Sequence, residues 1–319
     1  MLRLRLIVPP DLVSPVLDRL VSNPGVVHLV VSEDRSVRPD GRVVTCEVAR
    51  EVLNDLVEHL QDEGLHHTGA ILVERIDTVI SDTAAEAESE VPGHGSDALV
   101  WEELEETVRE EGELTPSFMV FMAVASMIAA IGILSDSAVL VIAAMVIGPD
   151  FGPVAGIAVS IVKRRSEVLR RSSATLLSGF LVGVVASLLC VVVLRLTGTA
   201  PSRYEISERV LTAFVAHPDT LAAVVAVLAG IVGMLSMTQD RHGALVGVLV
   251  AVTTIPAVGN VGLGAAYLQW GQVRGSLLQL AVNVVGLVAA GALTLVVQSR
   301  FTTRLGTRKR TSPTRASRG

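Results

Sequence analysis

The chain of 319 residues is half hydrophobic, has a mean hydropathy of +0.56 and carries only 18% charged side chains. Such a composition excludes an ordinary soluble globule and indicates a membrane protein. The net charge of −6 is unevenly divided: the part before Pro116 holds 25 acidic and 9 basic residues, and the remainder holds 7 and 17. We therefore expect an acidic front domain and a basic, apolar second domain.

The cysteines and the basic residues indicate the cellular setting. Cys46 lies in the acidic part and Cys190 in an apolar run, so no disulfide framework is expected and a reducing compartment is favoured. All basic residues except Lys163 and Lys309 are arginines, and Ala, Val and Gly are abundant, a usage typical of GC-rich bacterial genomes. The expected location is therefore a bacterial plasma (inner) membrane.

Residues 1–78 are predicted to form a cytoplasmic α+β domain. Leu2 to Val8 alternate apolar and polar side chains, the period of a half-buried strand. The βαββαβ order of the whole segment is typical of the ferredoxin-like fold, which many ligand-binding and regulatory modules share. Its remaining predicted elements are a helix over 12–20, strands over 26–31 and 42–48 joined by a turn over 32–41, a helix that ends near Gly64, and a strand over 69–76.

Three histidines of this domain, His28, His66 and His67, are interpreted as loose surface residues. No cysteine or carboxylate stands beside them at metal-ligand spacing. We therefore predict no metal site and no cofactor.

An acidic connection over 79–115 follows the front domain. The stretch from Asp77 to Ser96 is rich in Ala, Ser and acidic residues and is interpreted as a linker. An amphipathic helix capped by Asp97 follows, with several acidic residues after Trp101. Anionic lipid would repel it, so it is expected to pack on protein. Coupling between the two domains and a plain spacer role are equally compatible with this pattern.

Apolar runs long enough to cross about 30 Å of hydrocarbon, which takes about 20 residues each, occupy a transmembrane domain over 116–300. Basic residues cluster between 163 and 171 and in the tail 301–319, which places both on the cytoplasmic side together with both chain ends. Since this charge rule explains the tail, no nucleic-acid partner is expected. The six predicted spans are 117–134, 137–162, 173–196, 219–238, 243–269 and 276–298.

The six spans are predicted to form two inverted three-helix repeats. A shift of about 104 residues superposes Asp136 on Asp240 and Ser172 on Ser276. Because three spans is an odd number, the second half would enter the membrane from the opposite side. This arrangement is typical of secondary transporters.

The second and fifth spans are predicted to be broken helices. Two prolines and two glycines interrupt the second span over 148–153, and each proline removes a donor and clashes with the preceding turn. Proline, glycine and polar residues interrupt the fifth span over 253–260. Half-helix ends that meet in a membrane can hold an ion or a small polar solute. The predicted pathway residues are Pro149, Asp150, Gly152, Pro153, Thr253, Thr254, Pro256 and Asn260.

Asp150 is the residue with the strongest functional indication. A carboxylate inside a span costs several kcal/mol unless it is protonated, paired or hydrated, and such residues usually mark a pathway or a proton site. The alternative is a break near the surface at which Asp150 caps the following half-helix. Asn260 and Asn283 could instead form hydrogen-bonding contacts between helices, and for Asn283 this interpretation is preferred.

Small residues indicate close helix packing in two places. Gly179 and Gly183, and likewise Gly243 and Gly247, have the four-residue spacing of helix contact motifs. These contacts fit packing within one chain and equally a homo-oligomer.

The run from Ser135 to Pro153 resembles the signature of a prokaryotic membrane family called domain of unknown function 389. Ala143-Ala144-Met145, Gly148-Pro149 and Gly152-Pro153 match it, with Ala143 at a position where glycine is common. The resemblance covers about 115–300, extends to the front domain, and implies a six-span membrane domain without a known substrate. Many relatives have an apolar residue in place of Asp150, so a role of this carboxylate would belong to a subgroup.

We expect a transporter or channel for a small ion or solute, with the lipid bilayer as its surroundings and a regulatory front domain. A membrane-anchored sensor or scaffold is the alternative, although it would not need paired breaks. An enzyme is not expected, because the metalloprotease, serine-hydrolase and phosphate-loop motifs are missing from the sequence and no second aspartate lies in the middle of a span.

Overall fold

The computed structural model describes residues 1–76, 78–91, 101–204, 212, 220–238 and 254–309. The chain divides into two compact units, Met1–Glu102 with Gln298–Gly319, and Glu103–Val297. The first contains a β-sheet, and the second is helical.

A four-stranded antiparallel sheet with the order β2-β3-β1-β4 forms the centre of the first unit. Leu2, Leu4, Leu6 and Val8 are buried on one face of β1, because successive side chains of a strand point to opposite faces. They share a core with apolar residues of α1 and α2. The elements are β1 (Leu2–Val8), α1 (Val13–Val21), β2 (Val26–Val37), β3 (Asp40–Val48), α2 (Arg50–Asp62), α3 (Leu65–Thr68), β4 (Ala70–Arg75) and α4 (Asp82–Glu90).

Two predictions for this unit were wrong. Most of the predicted turn over 32–41 is strand, because polar residues of the edge strand β2 pair with β3 as far as Val37 opposite Asp40. The predicted linker contains helix α4, which begins after Ser81, whose hydroxyl accepts the backbone N–H of Ala84. Two alanines of α4 are buried, so short side chains provide its packing face.

The apolar helices make this chain a multi-pass membrane protein, with four to five candidate spans among the residues that the structure describes. α6, α9, α10 and residues Trp270–Arg300 of α12 are long and apolar enough to cross a membrane, and α7 and α8 form a further pair bent by 54°. The helices are α5 (Trp101–Glu111), α6 (Pro116–Leu134), α7 (Ala138–Ile147), α8 (Phe151–Lys163), α9 (Ser166–Leu196), α10 (Thr220–Thr238), α11 (Thr254–Ala266) and α12 (Trp270–Lys309).

Several predicted boundaries differ from the observed ones. α9 begins seven residues before its predicted span, and α12 begins at Trp270, six residues early, and continues to Lys309 into the predicted tail. Both helices therefore have polar turns outside their apolar runs. Of the predicted fifth span, α11 is described, and residues 243–253 lie outside the described part of the chain.

α8 and the described helix α11 are both short, and each is called a half-helix. Each has 13 residues, about 20 Å at 1.5 Å per residue, which is shorter than the ~30 Å of hydrocarbon. Each has proline at its third position, Pro153 and Pro256, and glycine at its sixth. Side chains are buried around most of both helices, so protein surrounds them.

Packing contacts of the helical unit recur at an interval of 104 residues, the interval that also separates Asp150 from Thr254. Each related contact joins one half-helix to α9 or α12, or joins α6 to α9 and α10 to α12. Small residues allow the close approach in most of them. The related pairs are Gly156 with Ser172 and Asn260 with Ser276, Ser126 with Gly183 and Gly230 with Leu287, and Gly262 with Ser187 and Ala158 with Gly291.

The first of the two glycine motifs acts within the chain. A methyl group at Gly179 would lie 2.7 Å from Phe118, and one at Gly183 would lie 2.3 Å from the hydroxyl of Ser126. These glycines therefore let α9 approach α6. Gly243 and Gly247 lie outside the described residues.

Candidate functional site at the junction of two half-helices

The break between α7 and α8 consists of Gly148, Pro149 and Asp150. Pro149 has no N–H and disfavours a helical conformation at Gly148, which is extended (φ −68°, ψ 126°). Gly148 also allows close contact with α11, because a methyl group there would lie 2.4 Å from Ile255. The predicted interruption over 148–153 was too long: Gly152 and Pro153 lie in the first turn of α8, where a proline costs no helical hydrogen bond.

Asp150 is buried at this break, with 5% of its surface exposed. It occupies the N-cap position of α8, but its side chain forms no capping bond. Instead, its Oδ2 accepts a hydrogen bond from the hydroxyl of Thr254. Within the described residues, no basic side chain forms an ion pair with it. A buried carboxylate with one neutral donor favours a proton or a cation beside it.

From the Asp150–Thr254 contact, α8 and α11 extend toward opposite ends of α9. Gly156 packs against Ser172, near the beginning of α9, whereas Gly262 packs against Ser187. The 15 residues from Ser172 to Ser187 span about 22 Å at 1.5 Å per residue. The Asp150–Thr254 contact therefore lies where the two half-helices begin.

The predicted residues of the fifth span separate into two places. Thr254 reaches Asp150, and Pro256 lies in the same first turn of α11. Asn260 is fully buried six residues further along, about 9 Å by the helical rise. It belongs to a different polar cluster. Thr253 lies outside the described residues.

This second cluster involves a polar face of α12 that sequence reasoning missed. The Nδ2 of Asn260 donates to the Ser276 hydroxyl at 2.7 Å, and its Oδ1 accepts from Nε2 of Gln272. Gln279 donates to Asn283 at 3.3 Å within α12. The helical spacing of the four polar residues could have revealed this face, but Gln272 precedes the apolar run that defined the span. The buried polar residues of the face are Gln272, Ser276, Gln279 and Asn283.

The acidic helix α5 packs along α8. Glu105 lies 3.8 Å from Lys163 and 3.9 Å from Arg165, at the end of α8, and Val108 is buried. At the beginning of α8, a methyl group on Gly152 would lie 2.6 Å from the Cβ of Glu111. One side of α5 therefore packs against protein along the whole length of α8.

His28 in the sheet unit is not a loose surface residue, contrary to the prediction. Its ring bonds Glu47 through Nδ1 and the hydroxyls of Ser81 and Thr83 through Nε2, at 2.9 Å each. Burial acts to raise the pKa of Glu47, but hydrogen bonds from His28 and Arg3 outweigh it and hold that pKa below its ordinary value. The cluster thus joins β2, β3 and the start of α4. The described residues contain no group of three His, Cys, Asp or Glu side chains that could hold a metal ion.

Comparisons with known proteins agree with the sequence resemblance. Residues 145–289 match the family described as Domain of unknown function (DUF389), and this match includes the break, α11 and the polar face of α12. An uncharacterized protein of Methanocaldococcus jannaschii is 26% identical over 218 residues, which are 68% of this chain and 62% of the relative. The chain thus matches less than two thirds of that relative's length. No solved structure matches the chain. The resemblance predicted from the motif is confirmed.

Proposed function

We propose that this chain is a transporter or channel that carries a small ion or small polar solute across a bacterial plasma membrane. The observation that carries the proposal is the hydrogen bond from Thr254 to the buried Asp150, at the beginnings of two buried half-helices. In many secondary transporters, substrate and coupling ion bind where such half-helices meet. Asp150 supplies a charge there, and Thr254 a hydroxyl.

An inverted repeat of six spans is part of this proposal. The contacts that recur at 104 residues support it. A two-fold rotation that superposes one half on the other would superpose each contact of the first half on its counterpart 104 residues later. The opposite directions of α8 and α11 along α9 also fit halves of opposite orientation. Asp150 and Thr254 are each other's equivalent, which would place them beside the two-fold axis of the repeat. The proposed spans are α6, α7 with α8, α9, α10, a fifth span that contains α11, and α12.

The proposed topology places both chain ends in the cytoplasm. The connection between α8 and α9 carries Lys163, Arg164 and Arg165, and basic connections remain preferentially on the cytoplasmic side. α8 would then lead from the junction toward the cytoplasm, and α11 toward the outside.

The front domain is proposed to be ferredoxin-like and regulatory. The strand order β2-β3-β1-β4 and the connections between the strands support this fold. α5 offers the physical link to the transport route, because Glu105 contacts the end of α8 and Glu111 packs beside Gly152 at its beginning. A movement of α5 would therefore act directly on α8.

A membrane-anchored sensor or scaffold is the second candidate, favoured by the separate core of the first unit. Under that function, a buried carboxylate where two half-helices meet would serve no purpose and would only destabilise the fold. We propose no enzymatic activity.

A flux screen tests the proposed function. The full chain is reconstituted into liposomes and tested for uptake of monovalent cations, divalent cations, anions and small neutral polar solutes. The proposal predicts uptake of at least one class above that of protein-free liposomes. Absence of uptake of every class, together with ligand binding to the same protein, would favour the sensor.

A further inference from the structure

The polar cluster of α11 and α12 leaves a buried acceptor unpaired. One N–H of each amide is used within the cluster: Asn260 donates to Ser276, and Gln272 donates to Asn260. The oxygen Oε1 of Gln272 has no hydrogen-bond partner, although the residue is only 7% exposed. A buried carbonyl oxygen without a partner is costly, so its persistence calls for a ligand that offers positive charge or a donor.

The helix packing does not require these amides. At the equivalent contact, 104 residues earlier, Gly156 packs against Ser172 with no amide. The residues of α9 that correspond to the α12 face retain hydroxyls but carry no Asn or Gln: Val168, Ser172, Thr175 and Gly179. The amides are therefore an addition confined to the second half, and helix packing alone does not account for them.

The atoms of the cluster favour a monovalent cation. Amide and hydroxyl oxygens are hard ligands, which suit hard cations such as those of the alkali metals. Divalent ions usually need carboxylates, and the cluster has none. An anion would be repelled by the unpaired oxygen of Gln272, and one N–H of each amide is already turned onto a neighbouring side chain.

We propose that Asn260, Gln272 and Ser276 form a binding site for a small monovalent cation such as sodium. The place of this site on a transport route rests on the proposed function, whereas the binding itself does not. Gln279 and Asn283 continue the same face of α12 beyond Ser276, so a cation released from the site would meet further amide oxygens.

Thermal unfolding of the purified full chain in detergent tests the site. Choline chloride is replaced stepwise by sodium chloride or potassium chloride at constant ionic strength, and the melting temperature is followed. A saturable rise with one of these ions is expected. Gln272→Met should abolish this rise, whereas Gln272→Glu should lower the half-saturating concentration about tenfold, because ligand charge tightens cation sites. Gln61→Met removes an exposed amide of α2 and should leave the rise unchanged.

The outcomes separate this inference from the proposed function. No cation-dependent rise in the wild-type chain, or a rise that persists in Gln272→Met with unchanged half-saturation, would overturn the cation site. If Gln272→Met fails to fold, an unchanged or weaker response of Gln272→Glu overturns it instead. Cation binding without flux of any solute would retain the site and overturn the transport function. Flux of an anion without cation binding would retain the transport function and overturn the cation site.

Discussion

Thr254 donates a hydrogen bond to the carboxylate of Asp150, the residue 104 positions before it. The same interval relates Ser172 and Ser276, each of which contacts a half-helix. The two positions differ in chemistry, one a carboxylate and the other a hydroxyl. A charged group therefore stands on only one side of the contact.

The hydroxyl of Thr254 should stabilise the buried carboxylate. Thr254→Val keeps the shape of the side chain and removes the donor, and we expect it to lower the free energy of unfolding by about 1–3 kcal/mol. Thr254→Ser retains the hydroxyl and serves as the matched control. Denaturant unfolding in detergent measures both. Equal stabilities of the Val and Ser variants would show that the hydrogen bond contributes nothing.

The contacts that α8 and α11 make with α9 should differ in whether a second substitution rescues a glycine-to-alanine change. A methyl group on Gly156 would meet the hydroxyl oxygen of Ser172 at 2.4 Å, so Gly156→Ala should destabilise the protein and Ser172→Ala should restore much of the loss. A methyl group on Gly262 would also meet backbone atoms of Val184 and Leu188 at 2.7 Å. Ser187→Ala should therefore not rescue Gly262→Ala. Double-mutant cycles of thermal stability check both, and equal rescue would contradict the packing.

Reporter fusions should place the two ends of the last three proposed spans on opposite sides of the membrane. A fusion after Arg203 is expected to report the outside, since α9 leads away from the basic connection at Lys163. A fusion after Gly319 is expected to report the cytoplasm. Reports from the same side would contradict the six-span arrangement.

The first unit should lose stability in acid through Glu47. Its pKa lies below the ordinary value because hydrogen bonds from His28 and Arg3 outweigh the effect of burial. A carboxyl group with a lowered folded pKa stabilises the fold above its unfolded pKa, about 4.3, and this contribution is lost as the pH falls through the folded pKa. Glu47→Gln should therefore lower the calorimetric melting temperature at neutral pH and reduce its fall in acid.

Glu58→Gln, at an exposed position of α2, is the matched control and should keep the wild-type pH dependence. An identical acid response of the Glu47 and Glu58 variants would show that Glu47 does not contribute to the loss of stability in acid.

Local patterns predicted much of the fold because they reflect local physics. The alternation of Leu2, Leu4, Leu6 and Val8 predicted a strand, and the missing donor of Pro149 predicted a broken helix. The prediction failed at α4, whose packing face consists of alanines that resemble linker composition, and at the end of β2, where an edge strand tolerates polar residues.

The candidate site was predictable in its residues but not in its grouping. Asp150 and Thr254 were both recognisable as polar residues at breaks, yet no local pattern states that they touch across 104 residues. Asn260 was assigned to the same site, although its contacts lie with Gln272 and Ser276. Contacts of this kind depend on tertiary packing between distant helices, which the sequence of one segment does not encode.

The proteoliposome flux of Asp150→Asn tests the central claim most directly. It is compared with the wild-type chain and with Asp136→Asn, which changes a carboxylate in the turn between α6 and α7. For the solute found in the screen, we predict that Asp150→Asn lowers the flux about tenfold or more, since the charged ligand of the site is lost. Asp136→Asn should retain the wild-type flux. Wild-type flux in a correctly inserted Asp150→Asn protein would contradict a transport route through this junction.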